Sequence, residues 1–370
     1  MSIPTKDSIS KVIDLKVGDP QDGRMPETFL EAQIDALNTG GACSYPPKAG
    51  LPTFRIAITE TYEEDHGVFI NPMNNTLVTH GAWEGVSVSL NAIARFTGVS
   101  MVGLAVPCFF GFFDIFKALD LALYKINIEE LCSGDDKILD RIFSSIVNQA
   151  FIHVNPHNPT GKVFTPEQNR AIARACRKHN VILISDFVYG SVHGGRKPES
   201  ALEYAPEAIE ISSFSKKFCM AGQRIGYVVG RGTVMEQILT QAGSTYNGVC
   251  SSSQVAAAHL LRSRAEPVEH VRLKMANRRE YLSLELAKLG LKVDLDFTNL
   301  GTNFVWAGIS EIFASSDEAV KQLAQVGVLV MSGLKCGSEG YLRFALNYDL
   351  PVLDVAIGRI AQVVKAPVLI

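Results

Sequence analysis

A lysine and an arginine eight residues apart mark the segment Ser213-Phe-Ser-Lys216-Lys-Phe-Cys-Met-Ala-Gly222-Gln-Arg224-Ile-Gly226 as a place for covalent chemistry. Residues 209–212 read as the end of a buried strand and residues 225–229 as a second strand, so Lys216 falls in a turn where strand ends meet open space. A lysine held there among apolar neighbours loses its proton cheaply enough to attack a carbonyl and form a Schiff base. The competing reading of this segment alone is a solvated Lys216-Lys217 pair. Two further segments decide between them. The run Phe151-Ile-His-Val-Asn155-Pro-His-Asn158-Pro159-Thr160-Gly161 carries the amide of Asn158 into a proline-glycine turn at a strand end. The run Val181-Ile-Leu-Ile184-Ser-Asp186-Phe-Val-Tyr189 does the same for a carboxylate and a phenol. Burying Asp186 behind four apolar residues is expensive unless a cation meets it, and a protonated pyridine nitrogen is such a cation.

With these elements in this order, nearly the whole chain resembles the pyridoxal-phosphate enzymes of fold type I, the class I and II aminotransferase group. The resemblance implies pyridoxal 5'-phosphate as cofactor, with Lys216 as its Schiff-base lysine and Asp186 paired with its ring nitrogen. Asn158 and Tyr189 would reach the ring oxygen, and Arg224, Ser213 and Ser215 would bind the phosphate. The stretch Leu77-Val-Thr-His80-Gly81-Ala82-Trp83-Glu84-Gly85 passes from strand to helix through a glycine, leaving free N–H groups at a helix start. Gly81, Ala82 and Trp83 are therefore the phosphate-loop candidates. In Pro107-Cys-Phe109 the resemblance makes Phe109 the ring that stacks on the pyridine, and core packing is the alternative for the neighbouring phenylalanines. Arg343, in Tyr341-Leu-Arg343-Phe-Ala, corresponds to the arginine that clamps the substrate carboxylate, a task suited to a two-pronged guanidinium. Tyr45 resembles the tyrosine that crosses to a neighbouring subunit's phosphate and implies a homodimer. Gly18 belongs to a segment resembling the mobile loop over the substrate.

These residues need a framework. Strand-like and helix-like runs alternate from about 76 to 230, which predicts an α/β fold with a mainly parallel sheet. The family arrangement implies a seven-stranded large domain over 41–260, a smaller α+β domain over 261–370, and residues 1–40 packed on the small domain. A helix is expected from about 271 to 289. Of the 370 residues 47% are hydrophobic, enough for a large core. A net charge of -3 without a basic stripe speaks against nucleic acid as partner. No uncharged run reaches the roughly 18 to 20 residues a membrane helix needs, and no signal sequence is read, so a cytoplasmic protein is expected. Seven cysteines without a C-x-x-C pair fit reduced thiols. No metal site is expected: His153 and His157 sit in a strand and a proline turn rather than on one helix face. No dinucleotide or Walker element is present.

The implied reaction converts an amino acid to its keto acid, a keto acid serving as acceptor. No arginine occurs within 241–253, where relatives that use dicarboxylates often place one, which favours a substrate without a second carboxylate. The alternative is a lyase or cyclase acting on a modified basic amino acid such as a hydroxylated arginine. A silent regulator on the same fold would lack part of the lysine, aspartate and asparagine set, which is complete here.

Overall fold

In the computed structural model, residues 12–20, 25–40 and 43–364 are described; the outer parts of the expected terminal segments, 1–11 and 365–370, lie outside them, as do 21–24 and 41–42. A two-residue strand, β1 (Ile13–Asp14), comes first. Seven strands then build the central sheet: β2 (Thr76–Thr79), β3 (Met101–Val106), β4 (Ala122–Asn127), β5 (Ala150–Val154), β6 (Ile182–Asp186), β7 (Ile209–Ser213) and β8 (Gly226–Val229). Their spatial order is β2-β8-β7-β6-β5-β3-β4. The run from β7 to β4 is parallel throughout, while β8 is antiparallel to both β7 and β2. The strands alternate their side chains between two cores, as a pleat with period two requires. Phe151 and Leu183 enter one core and Ile152 and Ile184 the other. Apolar residues on both faces are the signature of a sheet covered by helices on both sides.

Local sequence sets the covering helices. The helix Pro52–His66 starts with proline in its first turn and ends on Gly67 in the left-handed region. The helix Pro166–Lys178 opens on a capping box between Thr165 and Gln168. The helix Ala82–Thr97 buries Val86, Leu90 and Ile93 and stops at Gly98.

A second, antiparallel sheet holds β9 (Lys292–Val293), β10 (Phe304–Gly308), β12 (Met331–Ser332) and β13 (Tyr341–Ala345), and β11 (Val328–Leu329) pairs with β1. The long helix Ala265–Lys288 and the helix Leu350–Val364 pack here, around a core that includes Leu282, Phe344 and Leu353. The N-terminal segment divides its contacts. Its strand β1 joins β11, whereas its helix Glu27–Asn38 lies on the helix Ser251–Arg262 and sends Phe29 into the core of the large sheet. Among the described residues no helix is long and apolar enough to cross a membrane.

The turn after β2 and the start of β8 are in direct contact. A Cβ on Gly226 would lie 2.5 Å from the carbonyl carbon of Gly81 and 2.9 Å from the Ala82 nitrogen. Gly226→Ala is therefore expected to cost about 1–3 kcal/mol of stability by overpacking, measured by urea denaturation, whereas Gly222→Ala, where a Cβ would meet no atom of the described residues within 4 Å, should be close to neutral; equal effects would contradict this close approach.

Candidate active site

The parallel register carries the site. Val154 of β5 stands opposite Asp186 of β6, and Asp186 opposite Ile211 of β7. β5 and β6 end side by side and β7 runs on to Ser213, so Asp186 at its strand's end and the turns that carry Asn158 and Lys216 meet around one cavity of about 360 Å³. Such a crevice at the carboxyl ends of parallel strands is where α/β sheets bind ligands. Twelve of the fourteen residues singled out from the sequence line it: Gly18, Ala82, Trp83, Phe109, Asn158, Asp186, Tyr189, Ser213, Ser215, Lys216, Arg224 and Arg343. Gly81 lies just behind the wall, and Tyr45 is 86% exposed and does not line the cavity of its own chain.

On the cavity floor, Asp186 accepts a hydrogen bond from the Val188 amide at 3.2 Å, its one partner among the described residues. It is half-buried, its open side on the cavity, and enclosure by protein raises its carboxyl to about 6 despite that bond. The Lys216 ammonium donates to the Gly18 carbonyl. Burial lowers its pKa to about 8; Asp19 opposes the shift, while Arg343 and Arg224 add to it. Gly18 has no room for a side chain, since a Cβ there would lie 2.2 Å from the Phe304 ring.

Asn158 links the two halves of the site. Its amide nitrogen donates to the Tyr189 hydroxyl at 3.4 Å, and its amide oxygen accepts from Arg343 at 3.2 Å. Arg343 also donates to the Lys16 carbonyl at 3.1 Å and lies 3.9 Å over the Phe304 ring, while its buried Nε has no hydrogen-bond partner among the described residues. A buried guanidinium whose hydrogen bonds go only to neutral groups retains its full demand for an anion.

At the other end, Gly81 (φ 81°) turns the chain into the helix Ala82–Thr97, whose start has no side-chain cap. Arg224 adopts a left-handed φ of 53°, a conformation that costs a non-glycine residue roughly 1 kcal/mol. It donates to the carbonyls of Ala221 at 2.9 Å and His80 at 3.0 Å. Uncapped helix N–H groups, a guanidinium and the hydroxyls of Ser213 and Ser215 suit a phosphate. Glu84 is turned away to His80, accepting from its amide at 2.7 Å and meeting its ring at 2.9 Å. Phe109 meets Trp83 edge-on, with centroids 5.9 Å apart, and Phe112 and Phe116 are buried in the core. The residues therefore fit pyridoxal phosphate: an anion cradle, a carboxyl lacking a cation, a lysine of lowered pKa and an aromatic wall.

Sequence reasoning missed Phe304 and the carbonyls of Gly18 and Lys16. Backbone groups leave no signal in residue types, and Phe304 reaches the site only because β10 pairs with β13, the strand of Arg343.

This architecture and site define a fold type I aminotransferase. Residues 10–360 match the family described as aminotransferase class I and II, and the chain belongs to it. It is 28% identical over 366 residues to an aspartate aminotransferase of Pyrococcus horikoshii, covering 96% of this chain and 91% of that protein. It is 29% identical over 363 residues to an LL-diaminopimelate aminotransferase of Maridesulfovibrio salexigens, covering 95% and 91%. An aspartate aminotransferase structure from Thermus thermophilus superimposes with a TM-score of 0.87 at 26% identity, over 95% of this chain and 91% of that one. Bacillus subtilis BacF superimposes with a TM-score of 0.85 at 26% identity, over 95% and 90%. These relatives give the lyase or cyclase alternative no support.

Because the folded Asp186 holds its proton up to about pH 6, above the unfolded value near 4, the cofactor-free protein loses stability as pH rises through that window, by up to ~3 kcal/mol. Asp186→Asn should therefore stabilise the cofactor-free protein at about pH 7 and change it little near pH 4. Urea titrations at both values check this, and an equal effect at both would contradict it.

Proposed function

We propose that the protein is a homodimeric, cytoplasmic enzyme that binds pyridoxal 5'-phosphate in the cavity around Lys216 and transfers the amino group of an amino acid to a keto acid. The observation that carries the reading is the meeting of Lys216, Asp186 and Arg343 on one cavity, with the Arg224 cradle at its far end. Pyridoxal phosphate, when bound, supplies an aldehyde for the amino group and a pyridinium that takes up the electron pair left at Cα.

Each residue then has a task that its surroundings support. Lys216 holds the aldehyde until substrate arrives and afterwards carries the proton to and from Cα; a pKa of about 8 leaves part of it neutral near pH 7. Asp186 keeps the ring nitrogen protonated by electrostatic attraction. Asn158 and Tyr189 hold the ring oxygen, and Phe109 covers one ring face. Ser213, Ser215, Arg224 and the helix start at Gly81, Ala82 and Trp83 hold the phosphate. Arg343 orients the substrate carboxylate with help from Asn158, and the Gly18 segment closes the cavity from water.

Dimerisation is supported by two surfaces. Tyr45 stands away from its own cavity, free to reach a second copy's phosphate. Leu30, Ile34 and Leu37, spaced as one helix face, are 42%, 50% and 57% exposed and would be covered by a second copy. A reducing compartment accords with seven cysteines that are all free. The substrate side chain is proposed to lack a second carboxylate, unlike those named for the aspartate and diaminopimelate enzymes. The cavity mouth presents Val17 and Trp83, 53% and 45% exposed, and Lys16, the further cation lining it, lies 4.0 Å from Asp14.

Single amino acids added to the cofactor-loaded protein without a keto acid should convert the cofactor to its amine form, read by absorbance, and apolar donors should react faster than aspartate. No conversion with any amino acid would remove the transaminase reading for this cavity. Lys216→Ala should abolish turnover in a coupled keto-acid assay. Arg343→Ala should lower kcat/KM by roughly 10- to 100-fold, the loss of a charge-assisted pair, while cofactor affinity stays near that of the parent. Sedimentation equilibrium should return twice the chain mass.

A further inference from the structure

Lys217 turns its side chain away from Lys216 into a second cavity, of about 620 Å³, which shares no lining residue with the first. This cavity lies between the end of the helix Pro52–His66, the segment 187–193 after β6, and the junction of the helices Ser251–Arg262 and Ala265–Lys288.

Five cations and four carboxylates line it, and the carboxylates most closely placed are already engaged. Arg264 donates to both oxygens of Asp65, at 2.7 and 3.1 Å, and to Glu64 at 2.8 Å. Arg272 holds Glu269 at 2.6 and 2.7 Å. Lys197 donates to the Asp65 backbone carbonyl at 2.7 Å. Lys217 has no hydrogen bond or ion pair among the described residues, only the Phe218 ring at 6.0 Å. A second polar group is unsatisfied in the same wall: the buried Nδ1 of His193 has no hydrogen-bond partner among the described residues. A half-buried ammonium without an acceptor is costly, and an anion that fits the space removes the cost.

We propose that this second cavity binds a small carboxylate, held by the Lys217 ammonium. Arg262 is held by Glu60, outside the lining, at 3.2 Å, so Lys217 is the lining cation left for a single negative charge, and the nearby Glu64, Asp65, Glu266 and Glu269 disfavour a dianion such as phosphate. Burial lowers the Lys217 pKa to about 8, Asp65 opposing the shift, so the empty cavity leaves an amine that is nucleophilic near neutral pH. A bound carboxylate raises that pKa and fixes the turn that carries Lys216.

The test is independent of catalysis. Cofactor-loaded protein is treated with a trace of a succinimidyl ester, and labelling at each lysine is read by peptide mass spectrometry while acetate replaces chloride at constant ionic strength. Labelling of Lys217 should fall saturably, about tenfold when acetate stands tenfold above its Kd, while the exposed Lys292 is unaffected. Unchanged labelling of Lys217, or protection by inorganic phosphate and not by acetate, overturns the proposal. Calorimetry gives a second reading in Arg343→Ala, which removes the other carboxylate-binding cation. Acetate binding should persist there and vanish when Lys217→Met is added; binding that survives in the double variant would assign the acetate elsewhere.

Discussion

Everything in the first cavity depends on the register of three parallel strands, of which β5 and β6 end side by side and β7 runs two residues further, to Ser213. The pairing of Val154 with Asp186 and of Asp186 with Ile211 is fixed by backbone hydrogen bonds and by apolar side chains on both faces of the sheet. A one-residue slip of any strand would turn its core residues to the wrong face, so the register is held far more tightly than any loop could hold it. The amide, carboxyl and amine inherit that precision because Asp186 ends its strand and Asn158 and Lys216 follow theirs within a few residues.

Charge completes what register begins. Lys216, Arg224 and Arg343 line the cavity against the carboxyl of Asp186, and none of them contacts it. A phosphate at the helix start, a cationic ring nitrogen over Asp186 and a substrate carboxylate at Arg343 would each meet an opposite charge. The arrangement also divides the charges between sheets, since Arg224 stands just before β8 of the large sheet while Arg343 comes from β13 in the small one. Two units closing on one cavity can exclude water and leave each charge its own partner.

Much of this was legible in the sequence because it is local. Lysine, aspartate and asparagine each follow a recognisable apolar strand, and the glycine at 81 marks a strand-to-helix turn without reference to the rest of the chain. The helix expected over 271–289 forms, but begins earlier, at Ala265. What stayed hidden depends on distant pairings. Residue types say nothing of the Gly18 and Lys16 carbonyls, nor of β10 bringing Phe304 beneath Arg343. The helix Glu27–Asn38 packs on the large sheet's side, where Phe29 is fully buried, an arrangement made by tertiary contact. The sequence assigns Lys217 nothing beyond the competing solvated-pair reading of its segment, and its side chain enters an enclosure separate from that of Lys216.

Reduction with borohydride, which fixes an aldehyde bound to a lysine, tests the central claim most directly. After loading with pyridoxal phosphate, reduction and peptide mapping, one added phosphopyridoxyl group per chain is expected, on Lys216. A group on Lys217 or on any other lysine, with Lys216 unmodified, would contradict it.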